Sequence, residues 1–254
     1  MAVVTAASKG MGRAIAGELA AEGCRVAICS RDAGSIESAA EEIRSSHGAE
    51  VYCESVDVRD RDALQSFVEG VRRSLGPVSI AVANAGGPPA GRFEDFGADE
   101  WIDAFRLNFL STWTLIRAVL PDMRAQRWGR VVSLTSTSVR QPIDGLILSN
   151  GVRASVVGML KTLAAEYGPE NILFNNVGPG LIATDRLLSL AGRRARKAGV
   201  DRDEMIKRLA SRTALHRVGR PEEFAWVVAF LCSERASYVT GSSLMIDGGL
   251  VKAV

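Results

Sequence analysis

Histidine is almost absent from this chain: His47 and His216 are the only two in 254 residues. That scarcity argues against a His-rich metal centre and against a Ser-His-Asp triad. Cysteine is sparse too. Cys24, Cys29, Cys53 and Cys232 form no C-x-x-C pair and no metal-ligand spacing, so they read as small buried hydrophobes in a reducing compartment. No apolar run approaches the roughly 20 residues that span a bilayer. The opening Met1-Ala-Val-Val-Thr5 has no basic segment, long apolar stretch or cleavage site, so a cytoplasmic protein without a membrane partner is expected. An excess of one charge is also missing. Thirty-one basic residues stand against 29 acidic ones, a net +2, which speaks against a dedicated nucleic-acid binder. What remains is ordinary globular material, 47% hydrophobic and 24% charged, of a length that suits one large domain over residues 1–254.

Short β-branched runs alternate with longer amphipathic stretches. The runs predict strands at Ala2–Thr5, Arg25–Ser30, Glu50–Val56, Ser79–Ala83, Arg130–Thr135, Ile172–Val177 and Ser243–Ile246. Several are apolar throughout, such as Ile80-Ala-Val-Ala83, which suits strands buried on both faces. Helical periodicity covers Gly12–Glu22, Ser35–Ser46, Arg61–Ser74, Asp99–Gln126, Gly151–Tyr167 and Pro221–Ser233. This alternation predicts an α/β domain with about seven parallel strands and helices on both faces.

One segment differs in charge. From Arg186 to Arg220, eleven lysines and arginines meet three acids, Asp201, Asp203 and Glu204. A solvated helical pair explains such a run, and so does a substrate lid that favours an anionic or carrier-bound ligand.

The first strand runs into Thr5-Ala-Ala-Ser8-Lys9-Gly10-Met11-Gly12 and then a helix. A glycine turn at this place lets backbone N–H groups approach a pyrophosphate at the positive end of the helix. With the strand–helix alternation, it predicts a Rossmann-type doubly wound fold. An acid at the end of the second strand would bond a ribose 2′-hydroxyl, but Ser30 and Arg31 stand there. A guanidinium suits a 2′-phosphate, and Lys9 offers a second cation, so NADP(H) is favoured over NAD(H).

These features together resemble the short-chain dehydrogenase/reductase family over nearly the whole chain, with a look close to its 3-oxoacyl-carrier-protein reductase branch. The glycine turn matches except that Ala6 replaces the first glycine. Asn84-Ala85-Gly86, Pro179-Gly180, Tyr238-Val-Thr-Gly241 and Asp247-Gly-Gly249 also match. The resemblance implies that Asp57 and Val58 meet an adenine, and that the segment from Pro179 through Ile182 to Thr184 holds a nicotinamide. It implies a catalytic role for Asn108 and Ser136. It also implies a homodimer or homotetramer built on the helices Asp99–Gln126 and Gly151–Tyr167.

The family's Tyr-x-x-x-Lys falls thirteen residues after the serine. Counting from Ser136 reaches Ser149, and four further on lies Arg153. Tyrosine and lysine are thus both replaced, leaving an Asn108-Ser136-Ser149-Arg153 set. Tyr52, Tyr167 and Tyr238 fall elsewhere in the pattern. A serine hydroxyl is a far weaker acid than a phenol, and losing a general acid typically costs ~10²–10⁴ in rate. Three readings follow: an NADPH-dependent reductase of a carbonyl or acyl substrate with an altered proton route, a non-redox enzyme in which Asp144 could serve as base, and a nucleotide-binding partner without turnover. The first is favoured, because the nucleotide motifs stand intact beside a paired replacement. His216 and the tryptophans Trp101 and Trp113 read as a loop residue and packing groups.

Overall fold

A computed structural model describes residues 1–253. Seven strands form one parallel sheet: β1 (Ala2–Val4), β2 (Val26–Ser30), β3 (Val51–Ser55), β4 (Ile80–Ala83), β5 (Gly129–Leu134), β6 (Ile172–Pro179) and β7 (Ser243–Ile246), in the order β3-β2-β1-β4-β5-β6-β7. The strand runs sit within two residues of their expected limits. Side chains alternate across the pleat. Ala2 and Val4 join one apolar layer, with α1 (Gly10–Ala21), α2 (Ala33–His47) and α9 (Pro221–Leu231), while Val3 joins the other, with α3 (Arg61–Leu75), α5 (Ser111–Gln126) and α6 (Ile147–Tyr167). Sandwiched between these layers, β1, β2, β4 and β5 are buried along their whole length.

Two helix expectations need correction. The stretch Asp99–Gln126 is not one helix. It divides into α4 (Ala98–Phe105), a π-helical turn over Arg106–Leu110, and α5. Such turns are rare and widen the helix by one residue, a device seen mostly at functional sites; here it falls on Asn108. The helix expected from Gly151 starts earlier, at Ile147. Ser149 and Arg153 therefore sit four residues apart on one helical face. Gly151 does not break the helix because its bare Cα faces the Trp101 ring, which a Cβ would approach to 3.0 Å.

The basic segment forms α7 (Asp185–Ala198) and α8 (Arg202–Ala210). This pair has a small core of its own, with Leu187, Ala191, Ala195, Met205 and Leu209 buried. Its base is closed where Ala183 N–H donates to the Gly219 carbonyl at 2.8 Å and Gly219 N–H donates to that of Leu181 at 2.8 Å. Cys29 and Cys232 are buried, Cys24 and Cys53 partly so, and all four are free thiols. No helix among the described residues is long and apolar enough to cross a membrane.

Sheet order reverses between β1 and β4, and there the crossover helices leave to opposite faces, opening a cleft at the carboxyl ends of the strands. A side-chain clasp holds the two strand ends together. Thr5 Oγ1 donates to the Asn84 carbonyl at 2.7 Å and accepts from Asn84 N–H at 3.0 Å. The Asn84 amide donates to the carbonyls of Thr5 (3.1 Å) and Ala6 (2.9 Å). Asn84→Leu removes both amide bonds, and a loss of about 2 kcal/mol is expected. Urea unfolding should show a lower midpoint with an unchanged slope; an unchanged midpoint would mean the clasp is not a stabilising contact.

Candidate active site

The glycine turn follows β1 directly. Gly10 has φ +58, a left-handed conformation glycine adopts at little cost. Gly12 is packed against the clasp: a Cβ there would lie 2.6 Å from the Ala6 carbonyl and 2.7 Å from Asn84 Nδ2. Lys9 occupies the N-cap of α1 but lends no side-chain cap, so the first N–H groups of the helix stay available to an anion. Ser8 lies half-buried between them. Ala6, which stands where the resembled family has glycine, holds φ +49.

At the end of β2, Ser30 Oγ donates to the Asp32 carbonyl at 3.2 Å, and Arg31 is exposed. Asp32 does not compete for a ribose, because its carboxylate caps α2 by accepting from Ser35 N–H at 2.7 Å. Asp57 is gripped by Arg59 at 2.6 Å, and this bond holds its carboxyl below the usual range; Val58 beside it is buried. Lys9 leans the other way across the cleft, to Asp185 at 3.7 Å in an exposed pair.

A cavity of about 510 Å³ occupies the cleft. Met11, Asn84, Ala85, Gly86, Pro179, Gly180, Ile182 and Thr184 line it, together with Ser136, Ser149 and Arg153. Thr5, Ser8, Lys9, Gly10, Gly12, Ser30, Arg31, Asp57, Val58 and Asn108 lie outside its wall, although Gly10 is near enough that a Cβ would meet Thr184 at 3.2 Å. Sequence reasoning missed Arg186, Arg194 and Arg212 as cavity residues. Their signal was the charge run, but nothing in it told which of eleven cations face inward.

Ser136 lies two residues past β5, where it caps a short helical turn: its hydroxyl accepts from Ser138 N–H at 3.1 Å. Ser149 is only 5% exposed, lines the cavity, and makes no side-chain hydrogen bond among the described residues. Arg153 donates to the carbonyls of Leu134 at 2.9 Å and Gly86 at 3.2 Å. Asn108 Nδ2 donates to the same Gly86 carbonyl at 2.9 Å, while its buried Oδ1 has no partner. Two side chains from separate elements thus converge on one backbone oxygen in the loop after β4. None of the three tyrosines lines the cavity. Tyr52 is bonded to Glu54 on the far edge strand, and desolvation, then Glu54, pushes its phenol up to about 12. Tyr167 packs on Phe174, and Tyr238 is fully exposed. Asp144 does line the cavity, whereas His216 lies on a loop outside it. No group of metal-ligating side chains occurs among the described residues.

Arg153 has no carboxylate within salt-bridge distance among the described residues. Burial, and to a smaller extent Arg186, pulls its guanidinium down to about 10. A base with a lowered pKa in the fold is a destabilising charge at neutral pH, here on the order of 3 kcal/mol, relieved only as pH rises from about 10 toward the unfolded value. The site therefore holds a positive potential without a compensating acid.

Strand order, glycine turn and cleft define a Rossmann-type α/β protein. Comparison with known proteins narrows this. Residues 5–251 match the family described as enoyl-(acyl carrier protein) reductase. The chain is 31% identical over 250 residues to a 3-oxoacyl-[acyl-carrier-protein] reductase of Aquifex aeolicus, covering 98% of this chain and 96% of that protein. It is 33% identical over 253 residues to dehydrogenase/reductase SDR family member 4 of Oryctolagus cuniculus, covering 98% and 92%. Among solved structures, L-sorbose reductase from Gluconobacter frateurii, complexed with NADPH and L-sorbose, superposes with a TM-score of 0.95 at 32% identity, covering 100% and 97%. An NADPH-bound short-chain oxidoreductase from Pseudomonas aeruginosa with an atypical catalytic center gives 0.90 at 30% identity, covering 100% and 97%. The chain belongs to the short-chain dehydrogenase/reductase family.

Two stability measurements test this geometry. Ala6→Gly relieves a left-handed alanine and should stabilise the fold by about 1 kcal/mol, visible as a thermal midpoint a few degrees higher. Arg153→Met removes a buried uncompensated charge and should leave the midpoint unchanged or raised. A large drop would show that its two carbonyl bonds outweigh its desolvation.

Proposed function

We infer that this protein is an NADP(H)-dependent oxidoreductase that reduces a carbonyl, or oxidises the corresponding alcohol, without the tyrosine–lysine pair of its family. The observation that carries this reading is the shared cavity: residues of the nucleotide end, from Met11 to Thr184, and the polar trio Ser136, Ser149 and Arg153 line one space. A nicotinamide held at the first end would face a carbonyl held at the second. NADPH is bound in both of these structural neighbours, which supports the cofactor.

The residues present fit NADPH. Gly10 and Gly12 leave the backbone bare where a pyrophosphate would approach the N-terminus of α1. Arg31 is exposed with no carboxylate within 4.0 Å among the described residues, free to meet a 2′-phosphate, while Asp32 is turned away by its cap. When bound, NADPH supplies a hydride to the carbonyl carbon.

The chain's own part is to bind and polarise. Ser136 and Ser149 offer two hydroxyl donors to the carbonyl oxygen. Arg153 contributes positive potential under the charge that develops on that oxygen. It stays protonated at neutral pH, since even its lowered pKa is about 10, so it stabilises charge and passes no proton. A serine cannot act as general acid near pH 7, so the proton comes from water in the space that a phenol ring would fill.

Two measurements test this. NADPH should bind in the micromolar range, and Arg31→Ala should weaken it about 10–100-fold while changing NADH binding little, as read by nicotinamide fluorescence. Binding of neither nucleotide would sink the oxidoreductase reading. Installing Ser149→Tyr with Arg153→Lys should raise the single-turnover rate of ketone reduction by ~10²–10⁴, the worth of a general acid. A pair of substitutions that leaves the rate unchanged would mean that proton delivery does not limit this enzyme.

A further inference from the structure

We propose that the substrate is an aliphatic ketone bearing a carboxylate, whose carboxylate is held by Arg186, Arg194 and Arg212 under the α7–α8 pair. The proposal rests on the carbonyl chemistry inferred above and adds the identity of the substrate's far end.

The cavity that begins at the serines runs to the underside of the lid, where these three arginines form part of its wall. With Arg153 they make four cations facing one space. Asp144 is the sole carboxylate lining it among the described residues. None of the four arginines has a carboxylate within 4.0 Å among the described residues. Of the nearby cations outside the cavity wall, Arg208 pairs with Glu204 at 2.9 Å and Arg217 with Glu223 at 2.7 Å. Asp185, beside Arg186 in the chain, is turned to Lys9 instead. The acids of this region are thus spent outside the cavity, and its interior charge is left for a ligand.

Arg186 reaches across the mouth to the carbonyls of Gly87 at 3.2 Å and Pro88 at 3.5 Å. Those two contacts leave most of its five N–H donors free. Burial and neighbouring Arg193 lower its pKa, and Arg186 in turn lowers that of Arg153, so two guanidiniums repel across the cavity. An entering anion relieves that repulsion, and a planar carboxylate matches the guanidinium fork. Arg194 and Arg212 also border a shallow groove on the outer face, with Lys197 and Arg208. The positive charge is therefore continuous from surface to interior, an arrangement that draws anions inward. Leu134, Ile143, Leu181, Leu187 and Leu190 also line the cavity, an apolar surface that fits methylene groups.

The test compares acids with their neutral esters. Acetoacetate, 4-oxopentanoate and 5-oxohexanoate, each beside its methyl ester, are titrated calorimetrically into the protein with and without saturating NADPH. At least one acid should bind ten or more times tighter than its ester, and 0.5 M NaCl should shrink that ratio. Arg194→Ala with Arg212→Ala should bring acid and ester within about threefold of each other. Both side chains are exposed, so this variant keeps the fold, checked by its thermal midpoint. Acids that bind no tighter than their esters, undetectable binding of all six compounds, or a ratio indifferent to the double variant would each overturn the proposal. The titration without nucleotide separates the two readings: if NADPH fails to bind yet the acid preference persists, the anion site stands and the redox reading falls.

Discussion

Everything in this cleft hangs on the joining of two strand ends that the chain separates by two strands and three helices. β1 and β4 lie side by side, yet Thr5 and Asn84 are 79 residues apart in the chain. Parallel pairing alone would let their ends fray, since each strand stops where its ladder stops. Thr5 and Asn84 extend the ladder with side chains. The bonds that fix Asn84 also fix the carbonyl of Ala6, and that carbonyl presses on Gly12. The first turn of α1, the loop after β4 and the floor of the cavity are therefore one rigid body, set by four hydrogen bonds.

From that floor the polar site is built on carbonyl oxygens. Gly86, two residues past Asn84, presents its carbonyl to both Asn108 and Arg153. A lysine at the position of Arg153 would bring one ammonium point. The guanidinium instead reaches from the Gly86 carbonyl, in the loop after β4, to the Leu134 carbonyl at the end of β5. Those two carbonyls, rather than an acid, partner the buried cation.

Much of this was legible in the residues. The strands announced themselves as apolar runs, because burial on both faces forbids polar alternation. Ser136, Ser149 and Arg153, singled out by their spacing, line one cavity with Met11 of the glycine turn. Other features were hidden for definite reasons. The π turn at Asn108 leaves no mark on a 3.6-residue period, so Asp99–Gln126 looked continuous. Gly151 looked like a helix start, since its need for a bare Cα comes from Trp101, fifty positions away. Lys9 was read toward a phosphate, and its distance to Asp185 depends on how a helix 176 residues later lies over the turn. The cavity-lining arginines, two on α7 and Arg212 just past α8, share their sequence signature with the others; only the packing of Leu187, Ala191 and Leu209 sorts them.

The base of the α7–α8 pair carries a broader meaning. Two backbone hydrogen bonds, between Ala183 and Gly219 and between Gly219 and Leu181, close the excursion where it leaves the sheet. The pair buries its own apolar residues and borrows little from the main layers. Changes in α8 are thus largely separate from the sheet, whereas α7 is tied to it through Asp185 beside Lys9 and Arg186 on the Gly87 carbonyl. The excursion thus has a loose half and a tethered one: its outer helix leans on α7 alone, and its first turn is moored to both sides of the cleft.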